Sequence, residues 1–425
     1  MVNKTLTILT LLLIFLLDLT GQQIVPCLFD IGLHNHEISN PGHTQKLFKR
    51  IEKYREENAN RSLGILKVKV VFHVVYKDDA ENVSDALINE QVDILNRHFR
   101  RQNEDTINMR PIFADVAGDS GIEFVLDEIR RVKTTATFTP TFSKLPDEVK
   151  GSTTGGSDAK DPDKYLNIWI CELQPLDLFG SKSPILGYAY PPDSLDHWPA
   201  NSSAPNVNLD GVVLDFRTFT EEFYEIEMLG SIPMKGKTCV HEVGHYLGLR
   251  HISGDGGLFG PSCGASDGVE DTPEQGMQSQ FDCNTEQNTC GIGDTGDQPD
   301  MIENYMDYSN EDCQNTFTKG QIEIMRGVLT NIRKGLLTIS STDNNVLATN
   351  KYIISPNPAN QFIHVNALGG ASPITDLSIY DNFGKLMIQN PPIDQNKIDV
   401  SFLPSGLYFV KVNDHPLQKV MITAH

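Results

Sequence analysis

Lysine and arginine are absent from residues 254–312, a stretch that holds fourteen aspartates and glutamates. Basic residues are few in the chain as a whole, 35 against 56 acidic, giving a formal charge of −21. A nucleic-acid interface needs clustered cations to meet phosphates, and no such patch exists here. Long apolar runs are also lacking. Leu6 to Leu17 is the only one, and it is too short to cross about 30 Å of hydrocarbon comfortably, with Asp18 at its end. Lys4 before it and Thr20-Gly21 after it make residues 1–21 a secretory signal, and no stable membrane span is expected. Cysteine is sparse too. Seven in an exported chain favour disulfides in part.

The excess acid is unevenly held. Residues 22–62 have six Lys/Arg against five Asp/Glu, and residues 351–425 have five of each, so the middle of the chain carries the charge. Within 254–312 the acids interleave with Gly, Thr and Asn. A solvated acidic surface is the plain reading of such a run. Hard oxygen ligands for Ca²⁺ explain the arrangement better, with Asp255, Asp267, Asp271 and Thr272 as candidate contributors. Cys263, Cys283, Cys290 and Cys313 fall in or beside this stretch, where little apolar periodicity exists and cross-links are the natural staple. Four cysteines allow three pairings. Cys171 and Cys239 lie in apolar surroundings and read as buried free thiols, which leaves Cys27 as the odd one.

Residues 241–251 read His-Glu-Val-Gly-His-Tyr-Leu-Gly-Leu-Arg-His. On a helix His241 and His245 lie one turn apart on one face. Two imidazoles so placed can bind one Zn²⁺, with Glu242 beside them to hold a water and take its proton. Gly248 can end the helix in a left-handed turn that lets His251 return as a third ligand. A fourth metal position then stays open. The extended motif is the metzincin signature. Metzincins also carry a methionine turn beneath the metal, and Asn304-Tyr305-Met306-Asp307-Tyr308-Ser309 is the candidate, about fifty-five residues on. The Met306 thioether can pad the histidines, and Tyr308 can bring a phenol to the metal or to a developing oxyanion.

Residues from about 65 to 337 resemble the bacterial branch of the pappalysin family of metzincin peptidases. The matching stretches are Val70 to Tyr76, Leu166 to Cys171, Asp210 to Val213, the His241–His251 run, Asp267 to Pro273 and Asn304 to Ser309. The resemblance implies a secreted zinc endopeptidase with an α/β (α+β) zincin domain, a mixed sheet carrying the zinc helix above an irregular lower subdomain. It also implies structural calcium and the disulfides Cys263–Cys290 and Cys283–Cys313. In metzincins the segment after the methionine turn walls the pocket for the residue following the cleaved bond. Here that segment is Ser309 to Cys313, and Glu311 is expected to read an Arg or Lys side chain there. Related pappalysins place a cysteine early in the pro-segment, usually before Gly-Thr. Cys27, followed here by Leu28-Phe29, is expected to cover the open zinc position by its thiolate.

The organisation follows. Residues 1–21 are the signal, 22–62 a polar propeptide with a helical-looking stretch from Thr44 to Asn58, and 63–337 the catalytic domain. Ile65 to Tyr76, Ile122 to Ile129, Tyr165 to Cys171 and Val212 to Phe216 read as strands. An amphipathic helix carrying Leu87, Val92, Leu95 and Phe99 is capped by Ser84. Residues 338–350 are a polar linker. Residues 351–425 have short alternating runs between turns and read as a small all-β sandwich. Ser355-Pro356-Asn357-Pro358 and Leu403-Pro404-Ser405-Gly406-Leu407-Tyr408 resemble the C-terminal sorting domains of type IX secretion, against a competing reading as an adhesion module. The expected partners are protein or peptide substrates and the secretion machinery, with the product secreted or at the cell surface after passage through the periplasm. An adhesin on a degenerate peptidase scaffold is the rival function. Intact His241, Glu242, His245 and His251 argue against it.

Overall fold

The computed structural model describes residues 27–29, 49, 64–141, 143–178, 180–192, 204–219, 223–226, 230–254, 263–264, 266–337, 352–367, 374–381, 385–392, 396–413 and 418–423. The expected signal, nearly all of the expected propeptide with its helical-looking stretch, the expected linker and Asp255 lie outside them. Two compact units result, Met1–Thr338 and Ile339–His425.

The first unit is organised by a five-stranded sheet. Its strands are β1 (Leu66–Tyr76), β2 (Ile122–Lys133), β3 (Leu166–Cys171), β4 (Gly187–Ala189) and β5 (Val212–Asp215), in the order β2-β1-β3-β5-β4. β1 pairs in parallel with β2 and β3, and β3 with β5, whereas β4 runs antiparallel to β5 and forms an edge. Strands covered on both faces read as apolar runs. Leu166-Asn167-Ile168-Trp169-Ile170-Cys171 does so and is buried throughout. Helix α1 (Asp85–Phe99) starts where the Ser84 hydroxyl accepts the Leu87 amide at 3.3 Å. It buries Ile88, Val92, Leu95 and Phe99, members of one apolar cluster with Val70, Phe72 and Ile168 of the sheet.

Helix α2 (Lys237–Tyr246) is buried along its whole length and shares that cluster through Cys239, Val240 and Val243. From Leu247 to Thr318 the described chain holds no further helix or extended strand. Helix α3 (Lys319–Gly327) then closes the unit, opened by a capping box between Thr318 and Gln321. The disulfides Cys263–Cys290 and Cys283–Cys313 tie the irregular stretch, Cys171 and Cys239 are buried free thiols, and Cys27 is buried outside any disulfide.

The second unit is a pair of antiparallel sheets. One joins β6 (Tyr352–Ser355), β7 (Phe362–Ala367) and β10 (Lys397–Asp399), the other β8 (Leu377–Asp381), β9 (Leu386–Gln389), β11 (Gly406–Val412) and β12 (Gln418–Ile422). Alternate residues Tyr408, Val410 and Val412 face a core with Ile363, Val365 and Ile379. The Tyr408 phenol donates to the Pro404 carbonyl at 2.9 Å, so the Leu403–Tyr408 motif is a stapled corner. Among the described residues no helix is long and apolar enough to cross a membrane.

Candidate active site

Three histidines converge on one point. The Nε2 atoms of His241 and His245 are 3.0 Å apart, and those of His251 lie 3.3 and 3.1 Å from them. Nδ1 of His241 meets the Tyr305 carbonyl at 2.6 Å, and Nδ1 of His245 meets the Leu249 carbonyl at 2.8 Å. A carbonyl only accepts, so each Nδ1 carries the proton and each Nε2 presents a lone pair. Burial, then the neighbouring His251, pushes His241 down to about 3 and His245 well below the ordinary histidine value, so both are neutral. Lone pairs this close repel unless a cation sits among them. Tetrahedral Zn–N bonds of about 2.0–2.1 Å demand nitrogens about 3.3 Å apart, which matches the triangle. The residues fit a zinc ion.

The local backbone makes this possible. Gly248 has φ 95°, and the chain turns back so that His251 joins the helix histidines. Met306 is fully buried, and a Cβ on Gly244 would stand 2.6 Å from its sulfur, so glycine in the motif lets the methionine turn close under the helix. Glu242 is 1% exposed and lies against the edge strand β4, where a Cβ on Gly187 would come within 3.0 Å of its Oε1. The Tyr308 ring stands 4.8 Å from that of His251 and 5.8 Å from that of His241.

Cys27 joins the same place: its Sγ and one nitrogen of each of the three histidines lie within 4.8 Å of one another. Its segment pairs in parallel with β4, the Leu28 amide donating to the Gly187 carbonyl at 3.2 Å. Phe29 stacks on His245 with centroids 3.8 Å apart and planes 9° apart. Phe29 escaped the sequence reading, since an aromatic in a polar segment carries no periodic signal.

Other expected site residues are placed differently. Glu311 lines a cavity beside Glu242, together with Leu186, Ile232, Met234 and Phe281. Its carboxylate is already engaged. Oε1 accepts the Thr238 amide at 2.7 Å and hydroxyl at 2.8 Å, and Oε2 accepts the Lys235 and Lys237 amides. Gly236 at the N-cap of α2 has no side chain to offer, and Glu311 serves the orphan donors instead. The expected free anion for a basic side chain is therefore corrected to a helix cap. Asp307, in the same lining, is raised to about 6 by burial.

Asp267 and Thr272 meet, the threonine hydroxyl donating at 3.0 Å, and burial raises Asp267 to about 7. Asp271 instead accepts the Gly320 amide at 2.9 Å. Among the described residues no three carboxylates there approach closely enough to share an ion.

Comparison with known proteins agrees with this geometry. Residues 154–330 match the family model of M43 peptidases described as pregnancy-associated plasma protein-A. Mature mirolysin of Tannerella forsythia, solved in complex with a cleaved peptide, is 36% identical with TM-score 0.53, covering 68% of this chain and all of that one. The chain belongs to the pappalysin family of metzincin metallopeptidases. A Tannerella forsythia promirolysin mutant is 32% identical with TM-score 0.58, covering 73% of this chain and 97% of that one. An extracellular metalloprotease of Pyricularia oryzae is 30% identical over 278 residues, 64% of this chain and 77% of the relative. That of Arthroderma otae is 29% identical over 266 residues, 63% and 78%. Residues 353–423 match the secretion system C-terminal sorting domain. This pappalysin is thus a zinc metallopeptidase, secreted or displayed at the surface through the type IX route.

Proposed function

We propose that the protein is made as a latent zinc endopeptidase with Glu242 as its general base. The convergence of three histidine nitrogens beside a buried glutamate carries this reading. Zinc held there supplies a Lewis acid that polarises a carbonyl and brings the pKa of a water toward about 7. Glu242 takes a proton from the attacking water and delivers it to the departing amine, so that one water is consumed per bond broken. Tyr308, with its ring beside His251, donates to the oxyanion as charge develops. An extended substrate lies along the edge of β4, a role supported by the pairing of Cys27 and Leu28 with Gly187. Mirolysin, a relative, is solved with a cleaved peptide.

Latency belongs to the same reading. The Cys27 sulfur sits among the ligand atoms and Phe29 covers His245, which supports a pro-segment that closes the open metal position. Zinc-loaded full-length protein should be silent, and Cys27→Ala should cleave protein substrates without processing. Chelation should stop cleavage and added zinc restore it. Equal silence in both proteins would remove the thiol latch, and no cleavage after removal of residues upstream of about 63 would remove the peptidase reading. Calcium at Asp267 and Asp271 is a further part of the proposal, supported by an Asp271 Oδ1 that is buried without a hydrogen bond. Thermal unfolding of EGTA-treated protein should shift upward on adding Ca²⁺; an unmoved transition would discard it.

A further inference from the structure

We infer that the cavity beside Glu242 accepts an apolar side chain, not a basic one, from the residue that follows the scissile bond. The inference rests on the peptidase reading above and names its substrate class. The walls come first. Leu186, Ile232 and Met234 are buried together as one apolar cluster with Phe281 packed against them, and all four line the cavity. They come from separate stretches of chain: the residue before β4, the segment leading into α2, and the loop before Cys283. Phe281 takes a left-handed backbone, φ 57°, which a bulky residue adopts only when its surroundings force it. Those surroundings are fixed: its amide donates to the Tyr308 carbonyl at 2.9 Å, and the Cys283–Cys313 disulfide joins its loop to the segment after the methionine turn.

The polar groups of the lining are turned to their own chain. Glu311 is saturated by the start of α2. The Ser309 hydroxyl donates to the Ile302 carbonyl at 2.6 Å, and the Gln314 amide to the Asp307 and Ser309 carbonyls at 2.9 and 3.1 Å. Asp307 accepts the Ser279 amide at 3.0 Å and the Gln275 amide at 2.9 Å through Oδ1. Its Oδ2 is buried and makes no hydrogen bond among the described residues, an atom that a cation could seek beside the Glu242 carboxylate, which also lines the cavity. Behind the wall a cation already stands. Lys237, 2% exposed, donates through Nζ to the Glu311 carbonyl at 2.5 Å, the Gln314 carbonyl at 2.6 Å and Asp105 at 2.5 Å. A lysine or arginine entering the cavity would lose its water, find Glu311 engaged and meet a like charge. An aliphatic or aromatic side chain loses nothing and gains burial.

Full-length, zinc-loaded Cys27→Ala protein, incubated with a proteome-derived peptide library, tests this by mass spectrometry of the new termini. Leu, Ile, Met and Phe should be enriched at least about tenfold over Lys and Arg after the cleaved bond. Preferential cleavage before Lys or Arg would overturn the inference. Glu311→Gln and Asp307→Asn should keep the apolar profile, and loss of it in either would overturn the claim that these carboxylates do not read the substrate. Met234→Ala should widen acceptance toward larger aromatic side chains, and an unmoved profile would take Met234 out of the pocket wall. A zinc-loaded protein that cleaves no peptide would overturn the peptidase reading itself.

Discussion

Up to Tyr246 the catalytic unit consists of strands and helices whose apolar faces meet, whereas from Leu247 to Thr318 hydrogen bonds and two disulfides replace them. In the first half Val70, Phe72, Ile168 and Val240 are fully buried in one cluster. In the second, fully buried Asp300 accepts the Thr289 amide at 3.0 Å, the Thr289 hydroxyl at 2.9 Å and the Gln287 amide at 2.9 Å. Arg110, from outside the stretch, clamps Glu303. A segment with no lysine or arginine between residues 254 and 312 thus settles its acids mainly on amides and hydroxyls. The metal site straddles the boundary: His241, Glu242 and His245 come from a rigid buried helix, His251, Met306 and Tyr308 from the loops. Chemistry that needs fixed ligands and an adaptable cleft is served by that division.

The comparison breaks first at the disulfide. Replacing Cys283 and Cys313 together by serine should cost about 2–5 kcal/mol. The loss should fall on one half: amides of residues 266–317 should exchange faster while those of β1 and β3 keep their protection. Uniform loss would mean that the two halves unfold as one.

The sheet half has a polar exception that sharpens the contrast. His73 on β1 is fully buried, with Nδ1 2.8 Å from the Ser157 hydroxyl and Nε2 3.0 Å from the Asn167 Oδ1. Burial lowers it to about 4 from 6.5. Between those values the unfolded chain binds a proton that the folded one refuses. Stability should therefore fall as pH drops from 6.5 to 4, by about 3 kcal/mol from this group, and level off below. Denaturant unfolding across that range should show a shallower slope in His73→Gln than in wild type, the difference being this group's share. A smaller effect belongs to the start of α1, where Ser84→Ala should cost about 1 kcal/mol with kcat/KM unchanged. A change in kcat/KM there would mean that the sheet half is less independent of the site than its packing implies.

Sequence legibility divides along the same line. β1, β2, β3, α1 and its Ser84 cap are readable because period and capping chemistry are local. The histidine triad is readable because one helix and one glycine turn set it. The edge strand β4 carries no such signal, since the three residues Gly187 to Ala189 are placed by pairing with strands distant in sequence. Glu311 misleads for a related reason. In sequence it is an acid after a methionine turn; only the fold brings it 2.7 Å from the Thr238 amide, seventy-three positions away. Phe281, Met234 and Leu186 likewise become neighbours through the tertiary structure alone.

Glu242→Gln, made in the unlatched full-length protein, tests the central claim most directly, with zinc content and peptide cleavage measured on one preparation. The substitution keeps the shape beside Gly187 and removes the base. One zinc per chain with kcat/KM lowered about 10²–10⁴-fold is the predicted result. Undiminished cleavage at full zinc content would contradict Glu242 as the group that moves the proton.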